Sequence, residues 1–477
     1  MNILFVASEC APFIKTGGLA DVIGAVPKAL APMGGHVRVL LPAYPALSGE
    51  LAKGTEVATF DDLYGGAARL VAVSARGLDL LLIDAPHLYD RPGNIYLDQS
   101  GGDWRDNHLR FGALGDVGAR IAQGLLGDWQ PDIVNAHDWQ AGLVPAYLHA
   151  GGSSVPTVMT IHNIAFQGIF DPDHLDILGL PRDMFTVDKG EYYGRFSYLK
   201  VGLMLANKIT TVSPTYAHEL MDPAFGMGLD GVMRARRADL SGIINGIDLD
   251  VWNPETDPAI PQTYTAKTLA QKVKNKKKLE ERFNLTPGDG PLFCVISRLT
   301  TQKGLDLLLD RLPRIVAQGG RLALLGTGDR GMEQGFAEAA TRYAGKVGTI
   351  IGYDEGLSHL MQAGSDAILI PSRFEPCGLT QLYGLRYGTI PVVARTGGLA
   401  DTIIDANLAA LDADVATGVQ FHPVTAMGLE QAVARTIALY SQPKVWAGMQ
   451  RRAMAQPVGW DASAAAYLAL FHSLTAT

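Results

Sequence analysis

The chain is poor in cysteine and lacks long apolar segments, and both features exclude classes of protein. Its 477 residues include only three cysteines, Cys10, Cys294 and Cys377, which are odd in number and far apart. A disulfide framework or a thiolate metal site is therefore not indicated, and a cytoplasmic location is expected. The first residues are typical of a β-strand rather than a secretion signal, and no apolar segment is long enough to cross a bilayer.

Positive charge is also scarce. The chain has 40 Lys and Arg against 48 Asp and Glu, a formal net charge of −8. Neither a nucleic acid nor an anionic membrane is an expected partner for such a chain. The 47% hydrophobic content is ordinary for a globular enzyme and leaves little room for disorder. Because the chain is acidic, an anionic ligand would need local positive charge. A cation beside a glycine-rich turn is therefore stronger evidence for an anion site.

One hexapeptide, Thr-Gly-Gly-Leu-Ala-Asp, occurs at residues 16–21 and again at 396–401, directly after Lys15 and Arg395. The offset, 396 − 16 = 380 residues, is far longer than a solenoid repeat and indicates two similar halves. A glycine-rich turn that opens a helix presents bare N–H groups to an anion. Close packing is the alternative reason for the glycines in each copy. That both copies share six residues and a preceding cation favours an anionic ligand held between two domains.

Short apolar segments alternate with longer amphipathic ones. The short segments are apolar on both faces, as expected of parallel strands covered by helices. The predicted strands are 3–7, 37–41, 78–84, 132–136, 157–161, 208–212, 292–297, 321–325, 367–370 and 390–394. Helices are predicted between them, for example over 20–33 and 306–318. This order predicts an α/β fold with two doubly wound, Rossmann-like domains.

The domain boundary is expected where the chain becomes polar and rich in proline. An N-terminal domain is predicted over residues 1–245, a linker over 246–268 and a C-terminal domain over 269–456. Residues 457–477 are predicted to form a C-terminal helix that packs back onto the N-terminal domain.

Polar clusters follow many of the predicted strands. In the first half they are Ser8-Glu9, His137-Asp138-Trp139 and His162-Asn163, and in the second half Arg298 with Lys303, 326–329 and 372–380. Ligands of open parallel sheets bind beyond the carboxyl ends of the strands. Each cluster alone has a structural alternative as a turn, a cap or a solvated charge. Their joint occurrence at strand ends favours a ligand site.

The second-half clusters are suited to a diphosphate. Arg298 and Lys303 lie five residues apart, so a guanidinium fork and an ammonium can reach one pyrophosphate. The N–H groups of Gly378, Leu379 and Thr380 would open a helix and bind a phosphate.

Several common nucleotide-binding signatures are missing. Neither half carries a P-loop sequence or Gly-x-Gly-x-x-Gly after its first strand, which disfavours a P-loop ATPase and a dinucleotide oxidoreductase. His162 and Asp138 lack a third ligand, so no metal site is predicted. Charge on a departing diphosphate would be neutralised by fixed cations and backbone amides.

Taken together, these segments resemble the bacterial glycogen synthase and starch synthase family. The matching segments are Lys15-Thr16-Gly17-Gly18-Leu19, Ala136-His137-Asp138-Trp139-Gln140, Thr160-Ile161-His162-Asn163, Asn245-Gly246-Ile247-Asp248, 297–304 and Pro371-Ser372-Arg373-Phe374-Glu375-Pro376-Cys377-Gly378-Leu379. The resemblance covers nearly the whole chain, and the segment around Glu375 is its most specific part.

The resemblance implies a retaining GT-B glycosyltransferase whose two Rossmann-like domains face each other across a deep cleft. Such enzymes transfer glucose from ADP-glucose to the non-reducing end of an α-1,4-glucan such as glycogen, and release ADP. ADP-glucose is a co-substrate, and neither a cofactor nor a metal ion is expected.

The resemblance also implies roles for individual residues. The implied catalytic residues are Arg298, Lys303, Glu375, His162 and Asp138. The first two would stabilise the leaving ADP, while Glu375 would bind the donor glucose. His162 would offer its carbonyl or ring to that glucose, and Asp138 would lie near the acceptor.

Further residues are implied in substrate binding. They are Lys15, Gly17, Gly18, Glu9, Tyr96, Asn245, Tyr353, Cys377, Gly378, Leu379 and Thr380. The first three would face the donor diphosphate, and the last four would line the sugar and phosphate pocket. Glu9 and Tyr96 are candidates for the acceptor side, and Tyr353 is a candidate to stack on adenine.

One position departs from the pattern of many retaining GT-B enzymes, which carry a second glutamate eight residues after the first. Here that position, 375 + 8 = 383, is Tyr383. Glycogen synthases of this type share the change, so it supports the resemblance to that subfamily. It leaves the ribose contact unassigned. The alternatives are a transferase using UDP-glucose, a glucan phosphorylase with bound pyridoxal phosphate, and a non-catalytic glucan-binding protein. No oligomeric state is indicated.

Overall fold

Each half of the chain builds its own largely parallel sheet. The structure is a computed structural model that describes residues 1–475. It divides into a first unit, residues 1–245 with 460–475, and a second unit, Gly246–Gly459. Ala476 and Thr477, the end of the C-terminal segment predicted over 457–477, lie outside the described residues.

The strands of the first unit supply one large sheet and one small one. They are β1 (Asn2–Val6), β2 (His36–Pro42), β3 (Thr55–Phe60), β4 (Ala68–Ala75), β5 (Leu78–Asp84), β6 (Ile133–His137), β7 (Thr157–Ile161), β8 (Ile169–Phe170), β9 (Glu191–Tyr192), β10 (Arg195–Ser197), β11 (Lys208–Thr211) and β12 (Leu240–Gly242). The large sheet has the order β12-β11-β7-β6-β1-β2-β5-β4-β3, and the small one β8-β10-β9.

The large sheet is parallel from β12 to β5, and β4 pairs antiparallel with both β5 and β3. Its order reverses at β1, whose neighbours are β6 and β2. The strands around β1 are buried on both faces, which matches their apolar sequences. The carboxyl ends of β1, β6 and β7 therefore meet at one edge, beside the point where a doubly wound sheet binds its ligand.

Helices cover the first sheet. They are α1 (Gly18–Leu30), α2 (Ser48–Leu51), α3 (Pro86–Tyr89), α4 (Asn107–Ala122), α5 (Val144–Ala150), α6 (His174–Ile177), α7 (Tyr198–Leu205), α8 (Pro214–Glu219) and α9 (Asp230–Ala235). No helix in the part of the chain that the structure describes is both long and apolar enough to span a bilayer.

The second unit repeats the arrangement on a smaller scale. Its strands are β13 (Leu292–Ile296), β14 (Arg321–Gly326), β15 (Val347–Ile351), β16 (Ala367–Ile370), β17 (Ile390–Ala394) and β18 (Val419–Phe421). All neighbours pair in parallel, in the order β15-β14-β13-β16-β17-β18. The order reverses at β13, so the segments after β13 and β16 lie at the edge where a ligand is expected.

The second unit is helical on both sides of its sheet. Its helices are α10 (Lys272–Arg282), α11 (Leu305–Ala317), α12 (Arg330–Arg342), α13 (Glu355–Gly364), α14 (Thr380–Tyr387), α15 (Gly397–Thr402), α16 (Leu408–Asp412), α17 (Ala426–Tyr440) and α18 (Pro443–Met454). A last helix, α19 (Asp461–Thr475), belongs to the first unit, where Tyr467 and Phe471 are fully buried. The ring of Phe471 lies edge-on to that of Phe5 in β1, with centroids 6.4 Å apart.

The observed architecture confirms the predicted α/β class with two Rossmann-like units. Every predicted strand forms, with ends that differ by at most one residue. The prediction missed β3, β4, β12, β15, β18 and the small sheet. These strands are short, lie at sheet edges or have one exposed face, so they lack the continuous apolar sequence that marks the central strands.

Candidate active site

The first candidate residues lie after β1, where a buried carboxylate organises a glycine-rich turn. Glu9 accepts hydrogen bonds from the backbone N–H and the hydroxyl of Thr16, the latter at 2.6 Å, and from the N–H of Gly17 at 3.2 Å. The hydroxyl of Tyr96 also donates to Glu9 at 2.5 Å and lies 2.7 Å from the hydroxyl of Ser8. Glu9 and Tyr96, two predicted acceptor-side residues, therefore hold the turn that follows Lys15.

The glycines of this turn leave open space. A Cβ added to Gly17 or Gly18 would meet no atom within 4 Å. Gly17 is the N-cap of α1, and no side chain caps that helix. Lys15 lies beside it with its ammonium 2.7 Å from Asp21 and 46% of its side chain exposed. A cation and an uncapped helix N-terminus thus meet at an open surface, which is suited to an anion.

The second copy of the hexapeptide is built differently. The N–H of Gly398 donates to the carbonyls of Glu375 at 3.2 Å and Pro376 at 3.1 Å. A Cβ on Gly397 would lie 2.0 Å from the Glu375 carbonyl oxygen, and one on Gly398 would lie 2.2 Å from that of Cys377. Here the close-packing alternative holds, because these glycines let the chain press against the backbone of residues 375–377. The two copies do not form equivalent anion sites.

Two histidines meet at the carboxyl ends of β6 and β7. His137 Nδ1 lies 3.0 Å from His162 Nε2, and both residues are buried. Burial lowers the pKa of His162 to about 3, and burial together with His162 lowers the pKa of His137 well below its usual range. Both rings are therefore neutral at physiological pH, and one ring donates its N–H to the other. Nδ1 of His162 and Nε2 of His137 are buried without a hydrogen-bond partner.

Asp138 links the same two strand ends. Its carboxylate accepts a hydrogen bond from the backbone N–H of His162 at 2.7 Å. Its backbone has φ +54° and ψ −174°, a region that is costly for a residue other than glycine. Burial raises the pKa of the Asp138 carboxyl to about 7. A strained backbone and a raised pKa at one strand end are typical of a functional position.

In the second unit, Lys303 and Glu375 form an ion pair. The Lys303 ammonium lies 2.9 Å and 2.6 Å from the two carboxylate oxygens of Glu375, and the Ser372 hydroxyl donates to the same carboxylate at 2.8 Å. Only 19% of the Lys303 side chain and 10% of the Glu375 side chain are exposed. The pair is therefore partly desolvated and ordered by a third polar group.

Glycine at position 304 makes this pair possible. Gly304 has φ +68°, and a Cβ there would lie 1.9 Å from the carbonyl oxygen of Pro371. The loop after β13 can thus lie directly against the loop after β16. A backbone hydrogen bond from Arg373 to Gln302 at 2.9 Å and a bidentate ion pair between Arg373 and Asp306 fix the two loops together.

Arg298 lies at the start of the same loop and is exposed. Among residues 1–475, no carboxylate lies within salt-bridge distance of its guanidinium. Its charge is therefore available to a ligand, whereas that of Lys303 is shared with Glu375.

The segment after Glu375 leads into α14. Gly378 has φ +73°, and the side-chain amide of Gln381 donates to the carbonyls of Cys377 and Gly378, each at 3.0 Å. Leu379 is the N-cap of α14, which begins at Thr380 and has no side-chain cap. The first N–H groups of this helix are available to an anion on the same unit that carries Arg298 and Lys303.

Two further residues, Tyr353 and Asn245, were predicted to bind substrate. Tyr353 follows β15 and is 80% exposed, with its hydroxyl 3.2 Å from Glu355. Asn245 is the last residue of the first unit before the chain enters the second. It is buried, and its side-chain oxygen has no hydrogen-bond partner.

Tyr383 packs against the predicted linker. Its ring stacks on Trp252 with centroids 3.7 Å apart, and the other face of Trp252 stacks on His359 at 3.9 Å. Asp257 accepts hydrogen bonds from His359 at 2.7 Å and from Tyr387 at 2.5 Å. Residues 246–268 are therefore anchored to α13 and α14 rather than extended as a free tether.

His137 and Ser372 were predicted from the sequence to lie in strand-end clusters, but neither of them was assigned a role. Two histidines after adjacent strands were the available signal for the first. The contact of Ser372 with Glu375 depends on the loop conformation and has no sequence signal. Among the described residues, no group of three or more His, Cys, Asp or Glu side chains is arranged to hold a metal ion.

Comparisons with known proteins define the class and then the family. Residues 2–235 match the model of the starch synthase catalytic domain, and residues 276–451 match that of glycosyl transferases group 1. The catalytic domain of starch synthase IV from Arabidopsis thaliana bound to ADP and acarbose superposes with a TM-score of 0.87 at 30% identity, covering 100% of this chain and 99% of that one. The fold is thus that of a GT-B glycosyltransferase.

Curated relatives narrow this class further. The chain is 65% identical over 476 residues to glycogen synthase from Roseobacter denitrificans, covering 99% of both chains. It is 55% identical over 478 residues to glycogen synthase 1 from Rhizobium meliloti, covering 100% of both. The chain belongs to the bacterial glycogen synthase and starch synthase family, which confirms the resemblance and the predicted enzyme class, a glycosyltransferase.

Proposed function

We propose that the protein transfers glucose from ADP-glucose to the non-reducing end of an α-1,4-glucan such as glycogen, retaining the anomeric configuration and releasing ADP. The observation that carries the proposal is the grouping of Arg298, the Lys303–Glu375 pair and the uncapped start of α14 at one edge of the second sheet. Two cations and helix N–H groups suit a diphosphate, and a carboxylate suits the hydroxyls of a sugar.

The proposed donor chemistry uses the Lys303–Glu375 pair. When the donor binds, Lys303 turns toward the diphosphate, and Glu375 accepts hydrogen bonds from the glucose. Arg298 and Lys303 then meet the negative charge that develops on the leaving ADP as the bond from C1 to the phosphate oxygen breaks. The sugar passes through an oxocarbenium-like state, as in other glycosyl chemistry.

We propose a same-face route for retention. The acceptor's 4-hydroxyl approaches from the side that ADP leaves, its oxygen forms the new bond to C1, and its proton passes to the departing phosphate oxygen. Neither Glu375 nor Asp138 acts as a nucleophile in this scheme. Trapping a covalent glucosyl-enzyme on either carboxylate would overturn it.

The first-unit residues are assigned to binding and orientation. Lys15 and the open Gly17–Gly18 turn contact the donor diphosphate, while His162 contacts the transferred glucose and Asp138 lies near the acceptor. Because Glu9 is bound to the turn and to Tyr96, we propose that both act by holding the turn.

The remaining assignments concern residues of the second unit and Asn245, the residue that precedes it in the chain. Cys377 to Thr380 line the sugar and phosphate pocket, and exposed Tyr353 stacks on adenine. Asn245 is retained as a substrate-binding candidate, a role that its unsatisfied buried amide oxygen supports.

We further propose that no metal ion and no cofactor takes part, because Arg298 and Lys303 can supply the positive charge that the diphosphate requires. A cytoplasmic location is proposed as well, and the buried thiols of Cys10, Cys294 and Cys377 support it.

The test is release of ADP from ADP-glucose, measured with and without glycogen and in the presence of EDTA. We expect glycogen-dependent release that EDTA leaves unchanged, weak use of UDP-glucose, and new α-1,4 linkages in the product by NMR. Faster turnover of UDP-glucose would overturn the donor assignment, and loss of activity in EDTA that Mg²⁺ restores would overturn metal independence. Absence of any sugar-nucleotide turnover would overturn the proposed function.

A further inference from the structure

The first unit carries a group of exposed apolar side chains outside the clusters described above. Tyr193 is 81% exposed, Phe166 58%, Met227 43% and Ile169 40%. With Tyr192 they form what we call the Tyr193 patch, on the small sheet β8-β10-β9 and its neighbouring turns. Exposed apolar side chains scattered singly need no explanation, but a group of this kind marks an interaction site.

The members of the patch are held together by specific contacts. The carbonyl of Met227 accepts hydrogen bonds from the Tyr192 hydroxyl at 2.7 Å and from the Gln167 side chain, next to Phe166, at 2.9 Å. Tyr192 and Tyr193 lie edge to face with ring centroids 4.8 Å apart. The patch is therefore an ordered surface rather than a set of independent side chains.

Strand register places two members of the patch on the same face of the small sheet. Ile169 pairs with Ser197, and Tyr192 pairs with Arg195, so both lie on one face. Ser197 and Phe196 in the central strand are both fully buried, so the exposed members lie on the flanking strands and turns.

The backbone at Tyr193 is unfavourable for its residue type. Tyr193 and Gly194 form the two-residue turn between β9 and β10 and have φ +48° and +77°. Turns with two positive φ values favour Asn-Gly or Gly-Gly, and an aromatic residue at the first position is costly. A strained position that presents an exposed aromatic ring is typical of a functional site.

The patch lies on the segment that follows the candidate acceptor-side residues. Phe166 comes three residues after Asn163 along the chain. Gly168, between Phe166 and Ile169, packs so closely on the Trp139 ring that a Cβ there would lie 2.3 Å from it, and Trp139 is the residue after Asp138. The segment that carries Phe166 and Ile169 is therefore held against the residue next to Asp138.

We infer that the Tyr193 patch binds the α-1,4-glucan acceptor, at glucose units remote from the reacting end. The inference rests on the acceptor assigned under the proposed function. The faces of glucose rings are apolar C–H surfaces that stack on aromatic rings, while hydroxyls at their rims suit the tyrosine hydroxyls and the exposed Arg195. The exposed members of the patch carry no charge, which matches a neutral polymer.

A second copy of this chain is a weaker fit for the same surface. A stable protein interface uses about 20–30 residues on each side, many more than the patch provides. A glucan chain is narrow and gains affinity from a few aromatic contacts repeated along its length.

Three variants test the inference. Tyr193→Asn removes the ring but suits the positive φ, Tyr193→Phe keeps the ring, and Phe166→Ser removes a second platform. Leu408→Asn is the matched control, because Leu408 is 80% exposed in the second unit. Glycogen affinity is measured by retardation in native gels that contain glycogen, and kinetics are measured with glycogen and with maltotriose.

Tyr193→Asn and Phe166→Ser should each weaken glycogen binding and raise the KM for glycogen roughly three- to tenfold. Tyr193→Phe and the Leu408 control should match the parent protein. The KM for ADP-glucose, kcat at saturating glycogen, and the KM for maltotriose should not change, because the inference assigns the patch to glucose units beyond those of a three-unit acceptor. The melting temperature of Tyr193→Asn should stay equal or rise, which separates lost binding from lost folding.

Two results would overturn the inference. One is unchanged glycogen retardation and KM in both ring-deleting variants. The other is concentration-dependent self-association of the parent that Tyr193→Asn abolishes without affecting glycogen binding. The gel assay needs no turnover, so a parent protein that binds glycogen through the patch yet releases no ADP would contradict the proposed function alone.

Discussion

The ammonium of Lys303 lies within hydrogen-bond distance of both carboxylate oxygens of Glu375, at 2.6 and 2.9 Å. The cation proposed for the leaving phosphate and the carboxylate proposed for the sugar thus neutralise each other before the donor arrives. Each is held in place by the other, and neither is left as an isolated charge in a partly desolvated site.

The first prediction concerns this pair and stability. Lys303→Met should lower the free energy of unfolding by about 3 kcal/mol, because it leaves the Glu375 carboxylate without its counter-charge. Adding Glu375→Gln to that variant should recover a large part of the loss. Chemical denaturation of the parent, both single variants and the double variant measures the coupling. Additive losses would mean that the two side chains do not stabilise each other in solution.

The second prediction concerns Arg298, which is exposed and has no internal ion pair. Arg298→Ala should lower kcat by about 100-fold or more, while the KM for ADP-glucose changes little, because the charge that it meets develops late. The melting temperature should be unaffected. Arg342→Ala, an exposed arginine at the end of α12, is the control and should leave kcat unchanged. A raised KM with an unaltered kcat would assign Arg298 to ground-state binding instead.

The third prediction uses the two copies of the hexapeptide as a matched pair. Gly398→Ala should destabilise the fold by about 1–3 kcal/mol, because its Cβ would lie 2.2 Å from the Cys377 carbonyl oxygen. Gly18→Ala should fold at least as well as the parent, because the space there is open and alanine favours a helix. Its effect should be a raised KM for ADP-glucose. Thermal melts and donor titrations of both variants test this, and equal melting temperatures would contradict it.

The fourth prediction concerns the pH dependence of stability through Asp138. Burial raises the pKa of its carboxyl to about 7, above the unfolded value near 4. The folded state therefore binds the proton more tightly, and the contribution of Asp138 to stability is lost as pH rises from about 4 to about 7. Asp138→Asn keeps an oxygen to accept the N–H of His162 and removes the titration. Its melting temperature relative to the parent should be higher at pH 8 than at pH 5.

The two buried histidines act in the opposite direction and must be separated from Asp138. Because their pKa values are lowered, their contribution is lost as pH falls below about 6.5. The comparison therefore uses the difference between Asp138→Asn and the parent at each pH, in which the histidine contribution cancels. A difference that is independent of pH between 5 and 8 would show that Asp138 does not titrate in that range.

The fold was predictable wherever burial left a clear pattern. The strand Leu78–Asp84 was predicted with its observed bounds, because five of its seven residues are leucine or isoleucine and turn-forming residues precede it. The strand Thr55–Phe60 was missed, because it lies at the sheet edge with most of its residues exposed. Its pairing with β4 is a tertiary contact that no local pattern encodes.

The positions of the candidate residues at strand ends were predictable, but their contacts were not. Strand-end position identified Arg298, Lys303 and Glu375, since parallel sheets bring such ends together. The pairing of Lys303 with Glu375 depends on the close approach of their two loops at Gly304. A Cβ at that position would collide with the backbone of the other loop. Likewise, identical hexapeptides gave one open turn and one packed turn, because only the second faces the backbone of residues 375–377.

The stack of Trp252 between His359 and Tyr383 bears on protein engineering within the family. A chimera that takes its second unit from a relative should have its crossover before Gly246, so that Trp252 and the two helices that it contacts come from the same parent. A crossover placed inside residues 253–268 would pair one parent's indole with the other parent's rings. Misfit there would displace the first turns of α13 and α14, and α14 begins at the residues proposed to bind the donor phosphate.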